Sequence, residues 1–192
     1  QGSLTVRISE KGDDNGEAYE KAGGSLERVR ALVDEVLGED LEMVELSSSL
    51  SETKKLNEKG NRTNEIEYVT ATRSLRVNSG KVEDLDRLSR KLYDLNGEGI
   101  RLTLSGPDFF VSNLDEVKID LMKRATKNGR DRAEIMAKSS GEKLGSLVSA
   151  RQGVIQITKP NSTRTSSYGI YDAETIEKVV KLVVTLEFKI GG

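Results

Sequence analysis

The sequence predicts an α+β chain with antiparallel sheets covered by helices, and three observations carry that reading. Stretches with apolar residues at every second position recur along the whole chain, the alternation of a half-buried strand. Three longer stretches space their apolar residues three or four apart, as one face of a helix requires. Strand stretches also follow one another without an intervening helix, which suits antiparallel rather than all-parallel sheets.

Leu4, Val6 and Ile8 alternate with polar residues and open the chain as a strand. Asp13-Asp14-Asn15-Gly16 then offers N-cap side chains for a helix whose stripe is Ala18, Ala22, Leu26, Val29, Val33 and Val36. Gly23-Gly24 lies inside that helix at a cost of about 1 kcal/mol per glycine, which predicts a kink, a break or a close approach to another backbone. Residues 41–50 read as a second strand. Residues 51–63, with Lys54, Lys55 and Lys59, read as a polar loop or hairpin tip. Residues 66–77, rich in Tyr, Val and Thr, form a long strand ended by Asn78-Ser79-Gly80.

Val82, Leu85, Leu88, Leu92 and Leu95 define a second amphipathic helix closed by Gly97 and Gly99. Ile100, Leu102 and Leu104 alternate as a strand, and Gly106-Pro107-Asp108 marks a turn before Phe109 and Phe110. A third and longer helix begins near residue 114, with Leu114, Val117, Leu121, Ala125, Ala133, Met136 and Ala137 as its core-facing stripe. Its small residues predict close packing on a sheet, and Gly141 and Gly145 bracket its end. Residues 148–158 read as a strand and 160–172 as a loop rich in Ser, Thr and Tyr. The clearest strand closes the chain, where Val180, Leu182, Val184, Leu186, Phe188 and Ile190 alternate strictly.

The chain has 192 residues, enough for one domain or two small ones. Aromatics make up only 4% with no Trp, so the core must be built from Leu, Val, Ile and Ala. The formal net charge of −2 gives no global attraction to nucleic acid or an anionic membrane. Cys and His are both absent, which removes disulfides, thiol nucleophiles, imidazole bases and most zinc sites. No catalytic, cofactor-binding or metal-ligating residue is therefore singled out, and no cofactor is expected.

Each remaining cluster has a plainer reading. Asp13-Asp14-Asn15-Gly16-Glu17 lacks the alternating acids of a calcium loop and reads as a helix cap. Lys123, Lys127 and Arg130, with Arg124 and Arg132 nearby, share a helix with Asp120, Asp131 and Glu134, which favours ion pairing over nucleic-acid binding. Tyr168 and Tyr171 lie in a Ser/Gly-flanked loop and are the candidate interface residues. Gln1-Gly2 reads as the remnant of a cleavable tag, outside the fold.

Several segments together resemble the SIMPL-domain family, mostly bacterial extracytoplasmic proteins that include periplasmic immunogenic and oxidative-stress defence proteins. They are Glu10-Lys11-Gly12-Asp13-Asp14 with Ala18-Tyr19, and Tyr68-Val69-Thr70-Ala71-Thr72. The long helix adds Ala-Thr-Lys-Asn, Arg-Ala-Glu, Ala-Lys-Ser-Ser-Gly, Lys-Leu-Gly and Ala-Arg-Gln-Gly. Tyr168-Gly169-Ile170-Tyr171-Asp172 with Ile176-Glu177-Lys178 completes the set. The resemblance implies a ferredoxin-like plait, residues 73–149, inserted into an outer α/β unit of residues 3–72 and 150–192. On that reading the closing strand pairs with strands near the N-terminus. The resemblance also implies a further strand and a signal or membrane anchor upstream, hence a periplasmic location. It implies ring-like homo-oligomers and a non-enzymatic role in envelope integrity or stress tolerance. Two other readings stay open: a carboxylate-dependent hydrolase of small molecules or glycans, and an adaptor that binds a partner protein.

Overall fold

The structure is a computed structural model and describes residues 1–191. Its contacts divide the chain into two units, residues 1–110 and 111–192. Helices and mainly antiparallel sheets make up the chain, as the α+β prediction requires.

The first unit runs β1 (Gly2–Gly12), α1 (Asn15–Leu37), β2 (Glu42–Glu45), β3 (Ser49–Leu56), β4 (Arg62–Ser79), α2 (Val82–Gly97) and β5 (Leu102–Phe109). The sheet order is β2-β4-β1-β5, with β3 pairing farther along β4, and every pairing is antiparallel. With β2 and β3 counted as one interrupted strand along β4, the order strand–helix–strand–strand–helix–strand is the ferredoxin-like plait. It therefore occupies the first unit, not residues 73–149. The physical reason lies in β1, whose two edges are filled by β4 and β5, so the first strand is central to the plait.

The core follows from the predicted stripes. Leu4, Val6 and Ile8 pack with Leu26, Val29 and Val33 of α1, Leu75 and Val77 of β4, and Leu85, Leu88 and Leu92 of α2. A smaller cluster of Ala18, Ala22, Val69 and Ala71 lies where β1 turns into α1. Asp14 caps α1, accepting from the Glu17 backbone N–H at 2.9 Å, while Glu17 accepts from the Asp13 N–H at 2.6 Å.

Several expectations need correction. Helix α1 runs unbroken through Gly23-Gly24. Neither glycine marks a close backbone approach: a Cβ at Gly23 would make an ordinary 3.4 Å contact with the Arg73 guanidinium, and one at Gly24 would meet nothing within 4 Å. Gly2 is part of the fold: it pairs with Ser79 and Phe109, and a Cβ there would come within 2.6 Å of Leu85. Strand pairing extends β3 through Lys54 and Lys55, so the hairpin tip shrinks to residues 57–61. Strand β5 continues past Gly106-Pro107, accommodating them with a register shift opposite Ser3 and Thr5.

The second unit contains α3 (Leu114–Ser139), β6 (Leu144–Gln152), β7 (Gln156–Thr158), β8 (Ile170–Tyr171), β9 (Val179–Lys181) and β10 (Val184–Ile190). Helix α3 ends at Ser140, and Gly141 takes a left-handed φ of 82°. Gly145 is no cap but a β6 residue, where a Cβ would sit 2.9 Å from the Lys189 carbonyl oxygen of β10.

The closing stretch divides into two strands. Strand β9 pairs with β7 and β10 with β6, each within this unit, not with strands near the N-terminus. The change of partner falls at residues 182–183, where the Val183 carbonyl accepts from Gly153. Contacts thus divide the chain sequentially, unlike the discontinuous 3–72 and 150–192 arrangement.

Candidate functional site

The second unit has almost no enclosed core. Among the described residues, only Ala137 and Ile157 of its apolar side chains are fully buried. The predicted α3 stripe is half-buried along most of its length, and its last member but one, Met136, is 72% exposed. Leu147 and Val148 of β6, Val183 and Ile190 also stand at the surface. Small residues bring β10 close to the helix: Leu186 lies over Gly129, where a Cβ would be 2.7 Å from Leu186 Cδ1.

Beside that contact runs an open groove of about 720 Å³ between α3 and residues 182–186. Leu121, Ala125, Ala133 and Met136 line one side, Val183 and Leu186 the other, and Arg124 and Arg132 contribute to its lining. Strands β6 and β10 form a sheet of two, so each presents one edge that no other described strand covers. An uncovered edge is a template for another strand.

The two predicted interface tyrosines separate. Tyr168 is 96% exposed. Tyr171 is half-exposed, and its hydroxyl accepts from the Val111 backbone N–H at 3.1 Å. Tyr168 is thus presented to solvent, while Tyr171 is tied to the main chain where the unit begins.

Reasoning from sequence missed a buried ion pair beside them. Lys178 Nζ donates to Asp172 Oδ2 at 3.1 Å and to the Thr175 carbonyl at 2.7 Å, and both charged side chains are largely enclosed. The Thr175 hydroxyl donates to the same carboxylate oxygen. That hydroxyl, followed by Lys178, holds the Asp172 carboxyl below its ordinary value. The pair ties together the ends of the Tyr171-Asp172 and Ile176-Glu177-Lys178 motifs, so those motifs hold a loop in shape. The spacing of six residues within a polar loop was the only available signal.

Of the basic set on α3, Arg124 finds an ion pair four residues back, on Asp120. Among the described residues no group of three or more acidic side chains is placed to hold a metal ion. No described helix is long and apolar enough to cross a membrane.

Comparison with known families gives a match over nearly the whole chain. The family model SIMPL, described as a protein of unknown function (DUF541), covers residues 1–188. No curated protein matches the chain.

Proposed function

The chain belongs to the SIMPL family, and from that premise we propose a non-enzymatic extracytoplasmic protein that self-assembles and serves envelope integrity or stress tolerance. One observation carries the self-assembly: the second unit has an open α3 groove, and no other described strand pairs with the outer edges of its β6–β10 sheet. A two-stranded sheet is marginal in water on its own, and a third strand from another copy satisfies the open backbone groups. Exposed Leu147, Val148, Val183 and Met136 supply apolar area beside those edges, and Tyr168 adds a residue type enriched at interfaces. A second copy is the occupant because both free edges belong to one sheet, so the same contact can repeat and close into a ring. The absence of His and Cys, with no acidic pair in the groove lining, supports a structural rather than catalytic role.

Hydrogen exchange at two protein concentrations tests this reading. Amides of residues 144–152 and 184–190 are expected to gain protection as concentration rises. Protection gained instead over Gly2–Gly12 would overturn the assignment to the second unit. Fractionation of cells carrying the full-length gene tests location, and a purely cytoplasmic pool would contradict it.

A further inference from the structure

The sheet of the first unit has one face on the helices and one face open. On the open face β1 presents Ser3, Thr5, Arg7, Ser9 and Lys11, against Thr70, Thr72, Ser74 and Arg76 of β4. Hydroxyls dominate the surface, and Ser9 and Thr72 touch across the strands at 3.3 Å. At the β1 end nearest α1 the face sinks into a cavity of about 300 Å³. Its lining includes Arg7, Lys11 and Arg101 together with Ser9, Thr70 and Thr103. The register explains why the cations converge. Arg7 lies opposite Thr103, and the Ser9 N–H bonds the Arg101 carbonyl, so Arg101 stands beside Ser9, between Arg7 and Lys11.

These cations differ from the arginines on the helical side of the unit, which have carboxylate partners. On the helical side Arg28 pairs with Glu98, Arg30 and Arg73 with Glu45, Arg87 with Asp84 and Arg90 with Asp86. Among the described residues no side-chain ion pair involves Arg7, Lys11 or Arg101 and no carboxylate lines the cavity; the Glu10 carboxylate accepts from the Arg101 backbone N–H at 3.2 Å instead. Lys11 rests over the Tyr68 ring, 3.5 Å from its centroid, which fixes the ammonium and covers that aromatic face. A merely solvated sheet face places opposite charges across from each other. Three converging cations among hydroxyls instead supply charge-assisted donors for an oxyanion, with neutral partners for sugar hydroxyls around it.

We propose that this cavity binds an anionic sugar, with its phosphate or carboxylate held by Arg7, Arg101 and Lys11 and its hydroxyls by Ser9, Thr70 and Thr103. Single-stranded nucleic acid, the other polyanion that four-stranded sheets bind, needs exposed rings on the face for base stacking. No aromatic residue lines this cavity, and the neighbouring Tyr68 ring is already covered. The site is separate from the second unit's groove and does not depend on self-assembly.

The test is an NMR titration of the full chain with glucose 6-phosphate, inorganic phosphate, glucose and oligothymidylate. Glucose 6-phosphate is expected to shift the amides of Arg7, Ser9, Arg101 and Thr103 with a dissociation constant below ~10 mM, and inorganic phosphate to bind about tenfold more weakly. Glucose is expected to shift none of them. Arg7→Ala combined with Arg101→Ala should weaken binding tenfold or more, while Arg7→Lys restores part of it and Arg87→Ala changes nothing. Both arginines are exposed and without ion pairs, so the melting midpoint should hold and separate lost binding from lost folding. Absent or scattered shifts, a double variant that binds as the parent does, or phosphate binding as tightly as the phosphosugar would overturn the proposal. Oligothymidylate displacing the phosphosugar from the same amides would assign the face to nucleic acid instead.

Discussion

Gly12 lies directly beneath the first turn of α1: a Cβ at Gly12 would sit 2.3 Å from the backbone nitrogen of Ala18 and 2.8 Å from its Cα. Backbone atoms cannot rotate away as a side chain can. Gly12→Ala must lift the helix start off the sheet and open the Ala18, Ala22, Val69 and Ala71 cluster. The expected loss is about 3 kcal/mol by urea denaturation, the upper range for overpacking. A loss below about 1 kcal/mol would mean that the corner is not rigid.

Gly129 and Leu186 make a softer version of the same contact, because the colliding atom is the tip of a flexible side chain. Ala at position 129 gains about 1 kcal/mol of helix propensity, and moving Leu186 off its rotamer costs about as much. Gly129→Ala is therefore expected to be nearly neutral alone but stabilising by about 1 kcal/mol in a Leu186→Ala background. A double-mutant cycle reads this directly, and additive effects would show that the two residues do not touch.

The Asp172–Lys178 pair predicts a pH dependence. Hydrogen bonds from Thr175, then Lys178, hold the Asp172 carboxyl below its ordinary value. Its contribution is complete above the unfolded value and is lost as pH falls through the lower folded value. Asp172→Asn should cost about 2 kcal/mol near neutral pH, the scale of hydrogen bonds to a charged group. The gap between parent and variant should narrow below about pH 4. Denaturation curves at a series of pH values check the sign, and a gap that widens on acidification would refute it.

At the start of α1, Asp14→Ala removes the acceptor for the Glu17 N–H. A loss of about 1 kcal/mol is expected by thermal melting, while Asp14→Ser should retain most of the stability. Equal losses in both variants would show that the cap is not what starts the helix.

Much of the first unit was legible because its periodicities are local. The stripes of α1 and α2 and the alternation of Leu4, Val6 and Ile8 name their own buried faces. The Asp13-Asp14 cap was legible for the same reason. Pairing was not legible, since alternation tells a strand which face to bury and not which strand to join. Residues 179–190 alternate without interruption, yet the chain changes partner near Val183 because β6 and β7 separate around Gly153. The Arg7, Lys11 and Arg101 cavity was invisible for a related reason: its cations come from β1 and the start of β5, and only the register of Ser9 against Arg101 joins them. Tyr168 and Tyr171 were found by composition, but the hydroxyl contact to Val111 that distinguishes them depends on a fold closing 60 residues of sequence.

Self-assembly through the second unit is the central claim, and sedimentation velocity of the full chain from ~1 to ~100 µM, a range spanning a typical micromolar interface, tests it most directly. The expected result is an assembly whose mass is at least twice, and a whole multiple of, the 21.1 kDa of one chain. It should be reduced to the protomer by Val183→Lys with Met136→Lys, two exposed positions that line the groove. A single 21.1 kDa species across the whole range would contradict the account.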